Sequence, residues 1–152
     1  MMNSLALYRK CLQFPFGSHI FSWGVGFIAP YFSTIRAHFD DLRPNHVQVS
    51  IKNRRSVRNH FKTVHAIAMC NMAELAGGMM TDVSIPKGSR WIPCGMTVEY
   101  VKKAKTDLRA VADGKGIDWT QDGNVVVPVK VYDKNDEVVF TADITMNLKH
   151  KK

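Results

Sequence analysis

The chain is short of cysteine, of acid and of uninterrupted apolar sequence, and each shortage closes off a class of function. Its three cysteines, Cys11, Cys70 and Cys94, show neither pairing nor CxxC spacing. A disulfide framework and a cysteine-based zinc module are therefore excluded, and a reducing, cytoplasmic setting is expected. His60 and His65 stand five residues apart, a spacing that does not put both rings on one helical face, so no metal site is expected. The most apolar run, FPFGSHIFSWGVGFIAPYF, is broken by Pro15, His19, three glycines and Pro30, which argues against a membrane span. At the N-terminus, Arg9 and Lys10 fall where a signal peptide needs an apolar stretch. No internal repeat or low-complexity segment is visible.

Acid is scarce relative to base: 13 Asp and Glu against 21 Lys and Arg leave a formal charge of +8. Such a chain attracts polyanions, whether nucleic acid, anionic membrane or a phosphate-rich small molecule. No RNA- or DNA-binding signature accompanies the charge, and aromatics are not interleaved with the basic runs, so nucleic acid is not the expected partner.

What is present reads as a single globular domain over 1–152, since 152 residues with 45% hydrophobic and 22% charged content can bury one core. Residues 3–13 suggest a short amphipathic helix with Leu5, Tyr8 and Leu12 on one side, leading through a Gly- and aromatic-rich connection to a core over 31–149. Residues 31–53 read as two strands split at Arg43-Pro44-Asn45, with Val47, Val49 and Ile51 alternating against Gln48, Ser50 and Lys52. From Val64 to Asp82 the period becomes helical, with Val64, Ala68, Met72, Leu75 and Met79 at steps of three and four. Strict alternation then returns. Ile92, Cys94, Met96, Val98 and Tyr100 share one face of a strand, and Leu108, Ala110 and Ala112 share one face of the next. After a hairpin signal at Asp122-Gly123 come Val125, Val127, Val129 and Val131, with Pro128 implying an edge or a bulge. The last strand runs from Val138 to Leu148. The fold class is α+β: an antiparallel sheet of about six strands wrapped around one long helix. A sheet of this size on one helix leaves an edge and a face short of cover, so a dimer is expected.

The chemistry-bearing residues gather in NHFKTVHAIAMCNMAELAGG, residues 59–78. Thr63 is a plausible N-cap, which would put the unpaired backbone donors at Val64, His65 and Ala66 in the first turn. Those donors and the positive end of the helix dipole suit a carbonyl oxygen that gains charge. Glu74 lies on a stripe of small or polar neighbours, Cys70, Asn71, Gly77 and Gly78, where a carboxylate is costly to bury without a partner. The paired glycines imply close approach by another segment or a ligand. Each residue also has a plainer reading: Glu74 as a buried acid with a structural partner, His65 as a helix cap, Asn59 as a loop residue, Cys70 as packing. Met79 and Met80 read as core filling, with room for either to line a ligand tunnel as well.

Asn59 six residues before His65, Ala66 directly after it, and Glu74 nine residues after it together resemble the phenylacetyl-CoA-type thioesterases of the hotdog superfamily. The strand–strand–helix–four-strand order matches over roughly 30–149. The departure is Ala66-Ile67 where the family often has Gly-Gly, which resembles a less characterised His-Ala branch. The resemblance implies an acyl-CoA thioesterase. The backbone N–H of Ala66 would polarise the thioester carbonyl, and Glu74 would act as general base or nucleophile from across a dimer interface. Asn59 and His65 would position the thioester or water. Coenzyme A enters only as part of the substrate, with no further cofactor. Its phosphates would fall to Arg54, Arg55 and Arg58 with Lys52, to Lys87 and Arg90, or to Lys102 and Lys103 with Lys105. The plainer reading of each cluster, solvated surface, is the more common one. The assembly would be a homodimer or a tetramer built from it. The alternative on the same fold is a non-catalytic acyl-CoA or fatty-acid binding protein, which the Ala66-Ile67 departure favours.

Overall fold

The structure, a computed structural model, describes residues 3–151; the first two residues and the last of the expected 1–152 domain lie outside it. Six antiparallel strands form one sheet: β1 (His38–Arg43), β2 (His46–Ile51), β3 (Arg90–Tyr100), β4 (Leu108–Asp113), β5 (Gly123–Tyr132) and β6 (Val138–Lys149). Their order across the sheet is β1-β2-β4-β5-β6-β3. The central helix α3 (Ala66–Ser84) packs into the curl of the sheet. The inward set Val47, Val49, Ala110, Ala112, Val129, Val131, Ala142 and Ile144 is almost wholly buried against Met72, Ala73, Ala76 and Met80. This is the hotdog arrangement that the sequence leads one to expect.

The helix can sit this close because Gly77 meets the sheet without a side chain. A Cβ there would lie 3.0 Å from Ile144 Cδ1 and 3.3 Å from Val127 Cγ1. The β1–β2 turn falls at Pro44-Asn45, where proline presets φ and Asn45 takes φ 63°. Asn45 also fastens this end of the molecule. Its N–H donates to Ser84 Oγ at 2.9 Å, and its side-chain oxygen accepts from the Trp119 indole.

Several expectations are corrected. The segment expected as an irregular connection contains a helix, α2 (Gly17–Ile28), after α1 (Ser4–Cys11) and before a 3-10 turn at Pro30–Thr34. Phe21 faces the core, where its ring meets Tyr8 and Phe39 edge-on, while Phe16, Ile20, Trp23 and Phe27 remain exposed. Residues 11–35 contain no Lys, Arg, Asp or Glu. Strand β3 does not bury one face. It lies at the sheet edge, paired only with β6, with a register shift between Pro93 and Gly95, and Ile92, Met96 and Tyr100 are exposed. Asp122-Gly123 is not a two-residue hairpin, because β4 and β5 are separated by residues 114–122. Pro128 lies in an interior strand, but β4 pairing ends at Ala112↔Val129, so β5 is unpaired on that side where the proline stands.

Candidate active site

The start of α3 is set by long-range bonds. Val64 N–H donates to Ala104 O and His65 N–H to Val57 O, both at 2.8 Å, which keeps residues 64 and 65 extended and delays the helix to Ala66. The N-cap is consequently His65, not Thr63: its Nδ1 accepts from Ile67 N–H at 3.1 Å. An Nδ1 that accepts must carry no proton, so the neutral ring bears its proton on Nε2 and offers a donor outward. Ala66 N–H has no acceptor among the described residues. Among the described residues, the first turn therefore retains the free amides of Ala66 and Ala68 at the positive end of a helix of 19 residues.

Thr63 is occupied elsewhere, with Asn59. The Asn59 side-chain oxygen accepts from Phe61 N–H at 3.0 Å and Thr63 N–H at 3.2 Å, and its amide donates to Thr63 Oγ1 at 2.9 Å. Asn59 thus braces the loop that delivers His65. A small cavity of about 180 Å³ lies beside this helix end, bordered by Arg58, His65 and Ala68. Asn71 also borders it. Its amide donates to Thr34 Oγ1 at 3.2 Å, while its buried Oδ1 has no partner among the described residues.

Glu74 is not a buried acid in an apolar run: it is exposed on the open face of α3, in line with Ile67 and Cys70. Cys70 Sγ lies 3.6 Å from the Tyr100 hydroxyl of β3, and this contact, ahead of partial burial, raises the Tyr100 pKa. Beyond Glu74, helices α1 and α2 stand over α3 and enclose a cavity of about 580 Å³ that includes Glu74, Gly78, Met79 and Trp91. Met79 is half-buried there, whereas Met80 belongs to the core. Gly78 gives way to an aromatic ring, since a Cβ there would lie 2.9 Å from Trp91 Cη2.

Ala66 and Glu74 are eight residues apart on one helix, about 12 Å at 1.5 Å per residue. One carbonyl carbon cannot sit within about 3 Å of both groups of a single chain. Among the described residues, the Glu74 face of α3 and the outer edge of β3 are uncovered.

The basic residues divide rather than gather. Arg54 donates to the carbonyls of Ile35 and Thr34, and Arg58 to the side chain and carbonyl of Asn53. Lys52 pairs with Asp107 and Lys102 with Glu137, each at 2.8 Å. Lys103 lies over the Phe61 ring at 6.0 Å. Arg55, Lys87 and Arg90 are exposed and, among the described residues, form no ion pair. Arg55 and Lys103 flank the start of α3, whereas Lys87 and Arg90 follow its end, about 28 Å away along a helix of 19 residues. One phosphate cannot meet both sets in one chain.

A sequence reading misses α2 and the cavity residues it supplies, along with Asp82 and Trp91. The signal available was Gly78, whose bare surface demands a covering group.

Comparison with known proteins places this geometry. The profile described as a domain of unknown function, DUF4442, matches residues 17–148. A crystal structure of a structural-genomics target is similar at 51% identity, covering 98% of this chain and 99% of that chain with a TM-score of 0.88. A Pseudomonas aeruginosa protein named a probable thioesterase is similar at 20% identity, over 80% of this chain and 88% of that one, with a TM-score of 0.72. A thioesterase from Haemophilus influenzae follows at 9% identity, over 79% and 82% of the two chains, with a TM-score of 0.71. At these lower identities the likeness speaks for the fold. No curated protein matches the chain. No helix among the described residues is long and apolar enough to cross a membrane. By the profile match and the 51% identity, the chain belongs to the DUF4442 family, built on the hotdog fold that thioesterases share.

Proposed function

We propose that this protein hydrolyses the thioester of an acyl-CoA, with a site completed between two copies of the chain. The observation that carries the reading is the position of Glu74: a carboxylate exposed on an open helix face at the border of a cavity of about 580 Å³ with mainly apolar walls. The free N–H of Ala66 donates to the carbonyl oxygen of the thioester and stabilises it as charge develops. Glu74 of the other copy takes a proton from the attacking water, or attacks the carbonyl carbon itself to give an anhydride that water then opens. Thiolate leaves as coenzyme A in either route. His65 offers its Nε2–H to the thioester or to water, and Asn59 fixes the loop that holds His65 there. Arg55 and Lys103 near the start of α3, or Lys87 and Arg90 past its end, receive the phosphates of coenzyme A. The free thiols of Cys11, Cys70 and Cys94 suit a reducing, cytoplasmic setting.

The test is thiol release from a panel of short, long and aromatic acyl-CoAs, with Glu74→Ala and Glu74→Gln beside the parent. Loss of a carboxylate that acts as base or nucleophile lowers kcat by about 10²–10⁴-fold. An undiminished rate in Glu74→Ala overturns the proposal. The exposed Ile67 beside Ala66 favours the second reading, a binder that holds acyl-CoA without cleaving it. That reading predicts thermal stabilisation by acyl-CoA with no thiol released.

A further inference from the structure

We propose that the cavity bordered by Glu74 is an acyl groove with a length limit set by Asp82, so that preferred substrates are straight, neutral-ended chains of about ten carbons. This rests on the thioester reading above and narrows it to one substrate class.

The groove has a measurable axis. Glu74, Gly78 and Asp82 follow one another at four-residue steps along α3 and therefore lie on one line of the helix. All three border the same cavity. At the middle position the Trp91 indole lies directly on the backbone of Gly78 and itself forms the floor. The facing wall is α2, through Ile20, Trp23, Gly24 and Ile28, with Leu7 from α1.

The far end is polar and tied shut. Asp82 Oδ2 accepts from the Ser4 hydroxyl at 2.6 Å, and Oδ1 accepts from the Trp91 indole N–H at 3.4 Å. The start of α1, the end of α3 and β3 therefore converge on one carboxylate at the border of the cavity. An apolar chain end pushed against it would strip water from a charged group and give nothing in return. A chain ending in its own carboxylate would meet a like charge there.

Length follows from two rises. Eight residues of helix separate Glu74 from Asp82 by about 12 Å. A fully extended chain advances about 1.2 Å per bond, since the three backbone bonds of a residue span at most about 3.6 Å. About ten carbons fill the interval. Each methylene taken from water strengthens binding about fourfold, from roughly 0.8 kcal/mol per buried CH₂. The gain stops where the groove stops.

The experiment is a ladder of straight saturated acyl-CoAs, read by KM for thiol release and in parallel by thermal stabilisation of the protein. KM is expected to fall about fourfold per methylene up to about ten carbons and then to level off or rise. Asp82→Ala moves the break to longer chains. Gly24→Leu, on the other wall, moves it to shorter ones, because a Cβ at Gly24 has nothing within 4 Å and the added side chain enters free space. The two variants lie on different helices, so a folding failure in one leaves the other to decide. A ladder with no break, or a break that neither folded variant moves, overturns the length limit while leaving the thioesterase reading intact. Absence of thiol release across the ladder overturns the thioesterase reading, and the stabilisation profile still decides the length limit.

Discussion

Replacing His65 separates a structural duty from a chemical one. The bond from Ile67 N–H to His65 Nδ1, 3.1 Å long, is the one side-chain cap on α3, and the ring itself is exposed. His65→Ala therefore removes one hydrogen bond and almost no buried area. Loss of an N-cap side chain costs about 1 kcal/mol, which for a chain of this size lowers Tm by about 2–4 °C. In urea, with m near 1–3 kcal/mol/M, the midpoint falls by roughly 0.3–1 M with m unchanged. His65→Asn supplies an oxygen at the same place and restores the midpoint to that of the parent or above, since asparagine is among the preferred caps. Urea unfolding at one fixed protein concentration measures both, the concentration being held because any assembly makes the midpoint depend on it. An alanine variant that unfolds with the parent, or an asparagine variant no better than alanine, refutes the cap argument. The same pair tests the chemistry. If Nε2–H touches the thioester or water, thiol release drops in His65→Asn despite its restored stability.

Two further outcomes follow from geometry away from the site. Asp107 accepts from Lys52 Nζ and Asn53 N–H, both at 2.8 Å, and the lysine bond first, then the amide, holds its carboxyl below the ordinary range. A folded-state pKa below the unfolded value of about 3.9 gives stability that is full above that value and lost as pH falls through the folded one. Urea midpoints measured from neutral pH downward should therefore fall less steeply in Asp107→Asn than in the parent. The glycines of the helices divide by the same kind of reasoning. Gly24→Ala meets nothing within 4 Å and should stabilise by up to about 1 kcal/mol through helix propensity. Gly77→Ala enters contact with Ile144 at 3.0 Å, and an overpacking cost of about 1–3 kcal/mol outweighs that gain; equilibrium unfolding reads both signs.

Period and turn chemistry carry the core of this fold into the sequence. The alternation through Val47–Ile51, Leu108–Ala112 and Phe140–Leu148 and the helical step through Met72 and Leu75 are the buried faces observed. Helix α2 was hidden because both of its faces are apolar: Phe21 turns inward and Phe27 outward, so no polar side marks the period. Strand β3 shows that alternation describes a face without saying what covers it. Cover depends on strand order, and order is set by pairings far apart in sequence. The N-cap was displaced for a similar reason, because Val57 and Ala104 hold residues 64 and 65 extended from a distance. The spacing of Asn59, His65 and Glu74 was readable as a pattern. Their bonds were not, and neither was the polar convergence on Asp82, which joins Ser4 and Trp91 across most of the chain.

The placement of the three tryptophans gives the protein an optical property of its own. Trp23 and Trp91 both border the cavity beside Glu74. Trp119 is buried at the far end of α3, bonded to Asn45. Two emitters thus report on the contents of the groove and the third is shielded from them. A chain entering the groove displaces water from both indoles, shifting part of the emission to shorter wavelength and leaving the rest in place. Occupancy becomes visible without a label, against an internal standard that the fold keeps out of reach.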